Sequence, residues 1–276
     1  MSCSDATTIV TLITAHGIVI CADGKVTEVT NESGPNASAA DAGTGEKLFI
    51  VQNRFVVEHA GIKSVRASVG RGKSRTSIVI PYSLDRVIAE LRRDASPMFT
   101  LLRVAELTRA KLVEEFMGFD VLPRSGSFRP ENLQPPTHRV ITEFNISGYE
   151  GETAHVYSVG VEMDWSALAH VVTPVATLYP EQEKRKYLSM FVSGHSDAIA
   201  ELYDRTTLGA RSFASRWPLE YAALGNERDL DIDAMVVLAR ALLSVQIARS
   251  PSDVGYPLKV IVIPKGGRIR AETYQQ

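Results

Sequence analysis

The stretch Thr7-Thr8-Ile9-Val10-Thr11-Leu12-Ile13-Thr14-Ala15-His16-Gly17-Ile18-Val19-Ile20-Cys21-Ala22-Asp23-Gly24 decides the fold. Residues 7–14 are mostly β-branched or apolar, which predicts a strand. Ala15-His16-Gly17 predicts a tight turn and residues 18–22 a second strand, together a β-hairpin. Residues 47–51 and 55–60 predict another hairpin around Gln52-Asn53-Arg54. Four strands with such long apolar runs belong in sheets buried on both faces. Between the hairpins, residues 28–45 are polar and rich in Gly, Ser, Asn and Ala, and read as a long loop.

Helical spacing takes over next. Residues 83–93 place Leu84, Val87, Ile88 and Leu91 on one face. Ser96-Pro97 reads as an N-cap with proline in the first turn of a second helix. Its apolar stripe runs through Leu101, Leu102, Ala105, Leu112, Val113 and Phe116 until Gly118. Residues 123–136 contain four prolines and predict a loop. Strands are expected at 139–146 and 155–161, with further candidates at 168–178 and 188–192. A helix is expected from Gly194 to about Tyr203, and another at 231–248. A last hairpin, 258–263 with 268–271, turns at Lys265-Gly266-Gly267. Strand pairs alternating with helix pairs fit an α+β sandwich, two face-to-face antiparallel sheets with helices outside. No repeat or linker divides the chain, so residues 7–276 are expected to form one domain behind a candidate leader, residues 1–6.

A length of 276 residues allows one large domain or at most two. The formal net charge is −2, without the basic excess that marks a nucleic-acid surface. Cys3 and Cys21 are too few for a disulfide framework and lack a metal-ligand spacing. No apolar run approaches the roughly 18 residues needed to span a bilayer. The leader Met1-Ser2-Cys3-Ser4-Asp5-Ala6 has no cationic region and no hydrophobic stretch, unlike a secretory signal. The expectation is a cytoplasmic protein with no nucleic-acid or membrane partner, no cofactor and no metal. On that footing the Asn-x-Ser sequons at Asn31, Asn36 and Asn145 are chance.

Several short motifs then line up in order. They are Thr7-Thr8-Ile9-Val10, the run from Gly17 through Ala22-Asp23-Gly24-Lys25-Val26-Thr27, Glu46-Lys47-Leu48-Phe49, and Ala60-Gly61 at the end of the second hairpin. In this order the chain resembles the proteasome-type family of N-terminal nucleophile hydrolases, most closely the bacterial proteasome-like peptidase subunits. The similarity is dense over the first sixty residues and returns weakly around Gly194 and from Asp231 to Gly267. The resemblance implies a four-layer αββα sandwich and threonine peptidase chemistry. A threonine hydroxyl is a poor nucleophile until a base takes its proton, and an adjacent N-terminal amine can be that base. Such an amine has a pKa of roughly 7.7–8.0, near working pH. By resemblance, Thr7 is the nucleophile and the Ala6–Thr7 bond the self-cleavage site. Lys47 favours the deprotonated hydroxyl, Asp23 orients Lys47, and the Gly61 N–H stabilises the oxyanion. The resemblance also implies self-association into a ring around a peptide substrate, with any unfoldase or regulator unspecified.

The chain departs from that family pattern at three places. Active members carry a serine after the glycine that opens the third helix, where this chain has His195 after Gly194, then Ser196 and Asp197. They also carry Asp-x-x-Ser after the last long helix. An ungapped placement puts Ser250 at the aspartate and Asp253 at the serine, so the groups are present but exchanged. His195 is then either a substitute hydrogen-bonding or proton-relay group or a capping or solvent-facing residue. Ala6 stands where glycine usually precedes the threonine, and its methyl restricts the turn that self-cleavage needs. These departures keep two alternatives open: a non-catalytic ring subunit that retains its leader, and a free-standing amidase acting on a small molecule.

Other signals are background. Gly70-Arg71-Gly72-Lys73-Ser74 lacks the first glycine of a phosphate loop, since Ala67 stands there, and reads as a solvated basic loop. Asp229, Asp231 and Asp233 complement a helix dipole rather than bind metal. Cys21 is a small core residue, and residues 181–186 are a solvated charge run.

Overall fold

The apolar runs of the first hairpin become β1 (Thr8–Thr14) and β2 (Gly17–Asp23), buried at every position. The computed structural model describes residues 7–29, 39–61, 64–69, 76–116, 138–164, 169–178, 188–194, 196–224 and 230–275. The expected loop at 28–45 is corrected. β3 (Lys25–Val29) and β4 (Ala39–Thr44) pair antiparallel as a separate ribbon. Its second strand, Ala-Ala-Asp-Ala-Gly-Thr, has almost no β-branched signal, so pairing overrides propensity there. β5 (Leu48–Val51) and β6 (Phe55–Gly61) form the expected second hairpin. A further pair went unread, β7 (Ser64–Val69) with β8 (Thr76–Ser83). The basic run at 70–74 between them lies outside the described residues.

α1 (Leu84–Asp94) buries the expected Leu84, Val87, Ile88 and Leu91. α2 (Leu101–Phe116) starts later than expected. Ser96 Oγ accepts from Met98 N–H in a turn, and Thr100 Oγ1 takes the helix's Arg103 N–H at 3.2 Å. β9 (His138–Glu150) and β10 (Thr153–Asp164) make a hairpin longer than expected at both ends. The candidate strand at 168–178 splits into β11 (Ala169–Val172) and β12 (Ala176–Thr177) around Pro174, which has no N–H for the ladder. β13 (Ser189–Gly194) follows. The helix expected from Gly194 is only α3 (Asp197–Glu201), and α4 (Leu208–Arg216) and α5 (Pro218–Ala223) come after it. α6 (Ile232–Arg249) is capped by Asp231, which accepts from Ala234 N–H at 2.8 Å. Asp231 is therefore a capping residue, and Asp233 pairs with Arg270. β14 (Leu258–Pro264) and β15 (Arg270–Tyr274) close the chain.

The molecule is mixed α+β, with, among the described residues, two large antiparallel sheets, two two-stranded ribbons and six helices. One sheet runs β13-β1-β2-β14-β15 and the other β11-β10-β9-β6-β5, with β12 on β10. Period-two alternation divides each strand between two cores. In β1, Ile9 and Ile13 meet Leu48, Val56 and Val156 of the other sheet, and Val10 and Leu12 meet α6. The opposite face of the second sheet packs Val57, Phe144 and Ile146 on α1 and α2. Helices, sheet, sheet and helices thus succeed one another, an order compatible with a sandwich. Among the described residues no helix is long and apolar enough to cross a membrane.

Candidate active site

Asp23 ends β2 at the rim of the space between the sheets, and its carboxylate is 1% exposed. Its Oδ1 accepts from the Thr8 N–H at 2.8 Å and from the Lys47 ammonium at 2.7 Å. Its Oδ2 accepts from the N–H of Lys25 at 3.2 Å and of Gly255 at 3.4 Å. Burial pushes the Asp23 carboxyl above its usual range, and the Lys47 charge is the largest effect opposing that rise. Donors alone face this acceptor, which suits the ionised form. Gly24 follows because the backbones converge there: a Cβ would lie 2.5 Å from the Pro257 carbonyl oxygen. Gly24 N–H donates to Gly255 at 3.1 Å, and Gly45 N–H donates to Gly24 at 2.8 Å.

Lys47 comes from the other sheet, one residue before β5, where its carbonyl accepts from His59 N–H at 2.9 Å. Its side chain, 3% exposed, crosses to Asp23, so the ion pair joins the two sheets. A pair this buried depends on mutual compensation, and here backbone donors complete it. Thr7 directly precedes β1 and is 4% exposed. Because Asp23 holds both the Thr8 N–H and the Lys47 ammonium on one oxygen, the ammonium sits beside the Thr7–Thr8 peptide. Gly61 ends β6 two residues beyond His59, in the left-handed region at φ 107°, opposite Thr142 of β9. Its position places a backbone amide at the same end of the inter-sheet space as Lys47.

Other residues singled out in the sequence fare differently. Ser250 is the C-cap of α6, and its carbonyl accepts from the N–H groups of Asp253 and Val254, each at 3.0 Å. Among the described residues neither the Ser250 hydroxyl nor the Asp253 carboxylate bonds to Thr7, Asp23 or Lys47. This loop reaches the site instead through the Gly255 N–H, a backbone contact that side-chain motifs cannot reveal. His195 lies outside the described residues, as does the leader, residues 1–6. Cys21 is fully buried, which pushes its thiol up and makes it a core residue rather than a nucleophile. Among the described residues no cluster of three or more His, Cys, Asp or Glu side chains could hold a metal ion.

A cavity of about 190 Å³ opens beside the ion pair, lined by Asp23, Lys47, Glu46, Lys259, Pro257 and Thr273 among others. Lys259 reaches the Leu48 carbonyl at 3.1 Å and pairs with Glu46 across it. Further in, the inter-sheet space holds polar groups that the sequence reading missed. Thr11 Oγ1 donates to Glu58 at 2.8 Å, and Ser147 donates to the same carboxyl. Asn145 donates to Ser193 Oγ at 2.7 Å. Glu58 is a charged residue inside an apolar run, which is the signal that would have flagged it.

No protein-family model matches the chain, and no curated protein matches it. Function therefore has to be argued from these residues.

Proposed function

We propose that the chain is a proteasome-like threonine-type peptidase subunit, an amide-bond hydrolase of the N-terminal nucleophile type. In this reading self-cleavage at Ala6–Thr7 exposes the α-amine of Thr7. The observation that carries it is the sharing of Asp23 Oδ1 between the Lys47 ammonium and the Thr8 N–H, which puts a buried cation beside residue 7. Two face-to-face antiparallel sheets with helices outside are what the αββα sandwich of that family requires. The free α-amine takes the proton from Thr7 Oγ, and the oxygen attacks the substrate carbonyl. The Gly61 N–H receives the oxyanion and Lys47 lowers the cost of negative charge on Oγ. The protonated amine returns its proton to the leaving nitrogen, and water then cleaves the Thr7 ester. Peptides are the substrate class, and self-association into a ring would enclose the site.

A non-catalytic ring subunit is the second reading. It is favoured by the burial of Thr7 and, among the described residues, by the absence of Ser250 and Asp253 from the hydrogen bonds around Asp23. A peptide epoxyketone, which closes a ring only with a hydroxyl and a free α-amine on one residue, separates the two. The expected result is an adduct mapped to Thr7 and lost in Lys47→Met. Unmodified wild-type protein would support the non-catalytic subunit.

A further inference from the structure

Ser193 joins two facts that the proposed chemistry does not use. The first is its contact with the other sheet. Its Oγ accepts from Asn145 Nδ2 at 2.7 Å, and the Ser193 hydroxyl partly offsets the rise that burial causes in the Glu143 carboxyl. A hydroxyl has one proton to give and lone pairs to receive, so Asn145 fills an acceptor site on Ser193 and leaves its proton to face Glu143. Ser158 of β10 donates to Glu143 Oε1 at 3.2 Å, holding that carboxylate in turn. The second fact is the position of Ser193 in its own sheet. Ser193 pairs with Ile9 and Gly194 with Thr8. Gly194 sits at φ 79°, so close to residue 7 that a Cβ there would lie 1.9 Å from the Thr7 carbonyl oxygen.

We propose that Asn145 and Glu143 are positioning residues for Thr7. They hold Ser193 from the opposite sheet, and the adjoining Gly194 backbone holds the Thr7 peptide. The arrangement complements the Asp23 contact: Thr8 is fixed on its N–H side by β2, and Thr7 on its carbonyl side by β13. Asn145 is 2% exposed, and among the described residues its Oδ1 has no hydrogen-bond partner. An apolar side chain of the same size would avoid that loss, so the value of Asn145 lies in the bond it makes to Ser193.

The part of this inference that concerns catalysis rests on the proposed function, and the test therefore has two readouts. The first is amide hydrogen exchange of the peptide spanning Thr8–Thr14, which needs no activity. The second is peptide-amide hydrolysis. Ser193→Ala and Asn145→Leu are expected to speed exchange at the Thr8 end about tenfold while protection elsewhere in β2 and β14 is kept. Hydrolysis should fall about tenfold in kcat with KM unchanged, and Ser193→Thr, which restores the hydroxyl, should recover it. Faster exchange in a protein whose wild type cleaves nothing keeps the positioning role and sinks the enzymatic reading. Unchanged exchange at Thr8 in both variants overturns the inference, as does a general rise across the sheet. Wild-type turnover in both variants would overturn it too. Asn145→Leu guards against a folding defect peculiar to Ser193→Ala.

Discussion

Glu58 sits between the sheets, where among the described residues the hydroxyls of Thr11 and Ser147 are its hydrogen-bond partners, and burial raises its pKa to about 7. In the unfolded chain the same carboxyl titrates near 4.3. Between those values the native state holds a proton that the unfolded chain has lost. Stability therefore falls as pH rises from about 4.5 to 7, by up to about 3 kcal/mol, and is flat above. Urea unfolding at several pH values should show this slope in the wild type and its loss in Glu58→Gln. Asp23 and Lys47 should respond unequally to truncation. Lys47→Met leaves Asp23 with three backbone donors, whereas Asp23→Leu takes the shared carboxylate from a buried ammonium and three N–H groups at once. Breaking a buried pair from one side costs about 3–5 kcal/mol, so Asp23→Leu should reach or exceed that range and Lys47→Met should fall below it. Equal losses in denaturant midpoint at constant m-value would contradict the asymmetry.

At the scale of elements, the contact of β13 with the chain before β1 depends on Gly194. A methyl there meets the Thr7 carbonyl at 1.9 Å in a left-handed conformation. Gly194→Ala is expected to cost about 2 kcal/mol or more in chemical unfolding, the scale of overpacking a filled site, with loss of protection in β13 first. A neutral Gly194→Ala would show that the two backbones separate easily. The elements also show what periodicity can and cannot reveal. β1, β2, β5, β6 and α6 were legible because burial on both faces or on one helical stripe leaves a pattern in the residues. β4 was not, since its small and polar residues pair through their backbones and leave no pattern, and β3, whose Val26, Thr27 and Val29 do carry a strand signal, lacked a legible partner. The start of α2 was misread because Ser96 caps a turn of its own four residues before Thr100 caps the helix.

Taken whole, the molecule draws its candidate site from both sheets. Thr7 and Asp23 come from one, Lys47 and Gly61 from the other, and the site exists only when the Ile9, Ile20, Val56 and Ile261 core holds the two together. Thr7, Asp23 and Lys47 were legible as an ordered set of short motifs, each at a strand end. The contributions of Gly255 and Gly194 were not, because they act through backbone contacts, and the Ser193 hydroxyl meets Asn145 only once the two sheets pack. Ser250 and Asp253 matched a pattern in one dimension, and among the described residues their loop meets Asp23 through the Gly255 N–H. The proposed chemistry turns on whether Thr7 becomes a chain terminus. Intact mass and N-terminal sequencing of the purified, assembled protein test this directly, with Thr7→Ala beside the wild type. The expected result is a wild-type chain beginning at Thr7 and a Thr7→Ala chain that keeps Met1 to Ala6. An assembled wild type that retains those residues, and cleaves no peptide amide, would contradict the enzymatic reading.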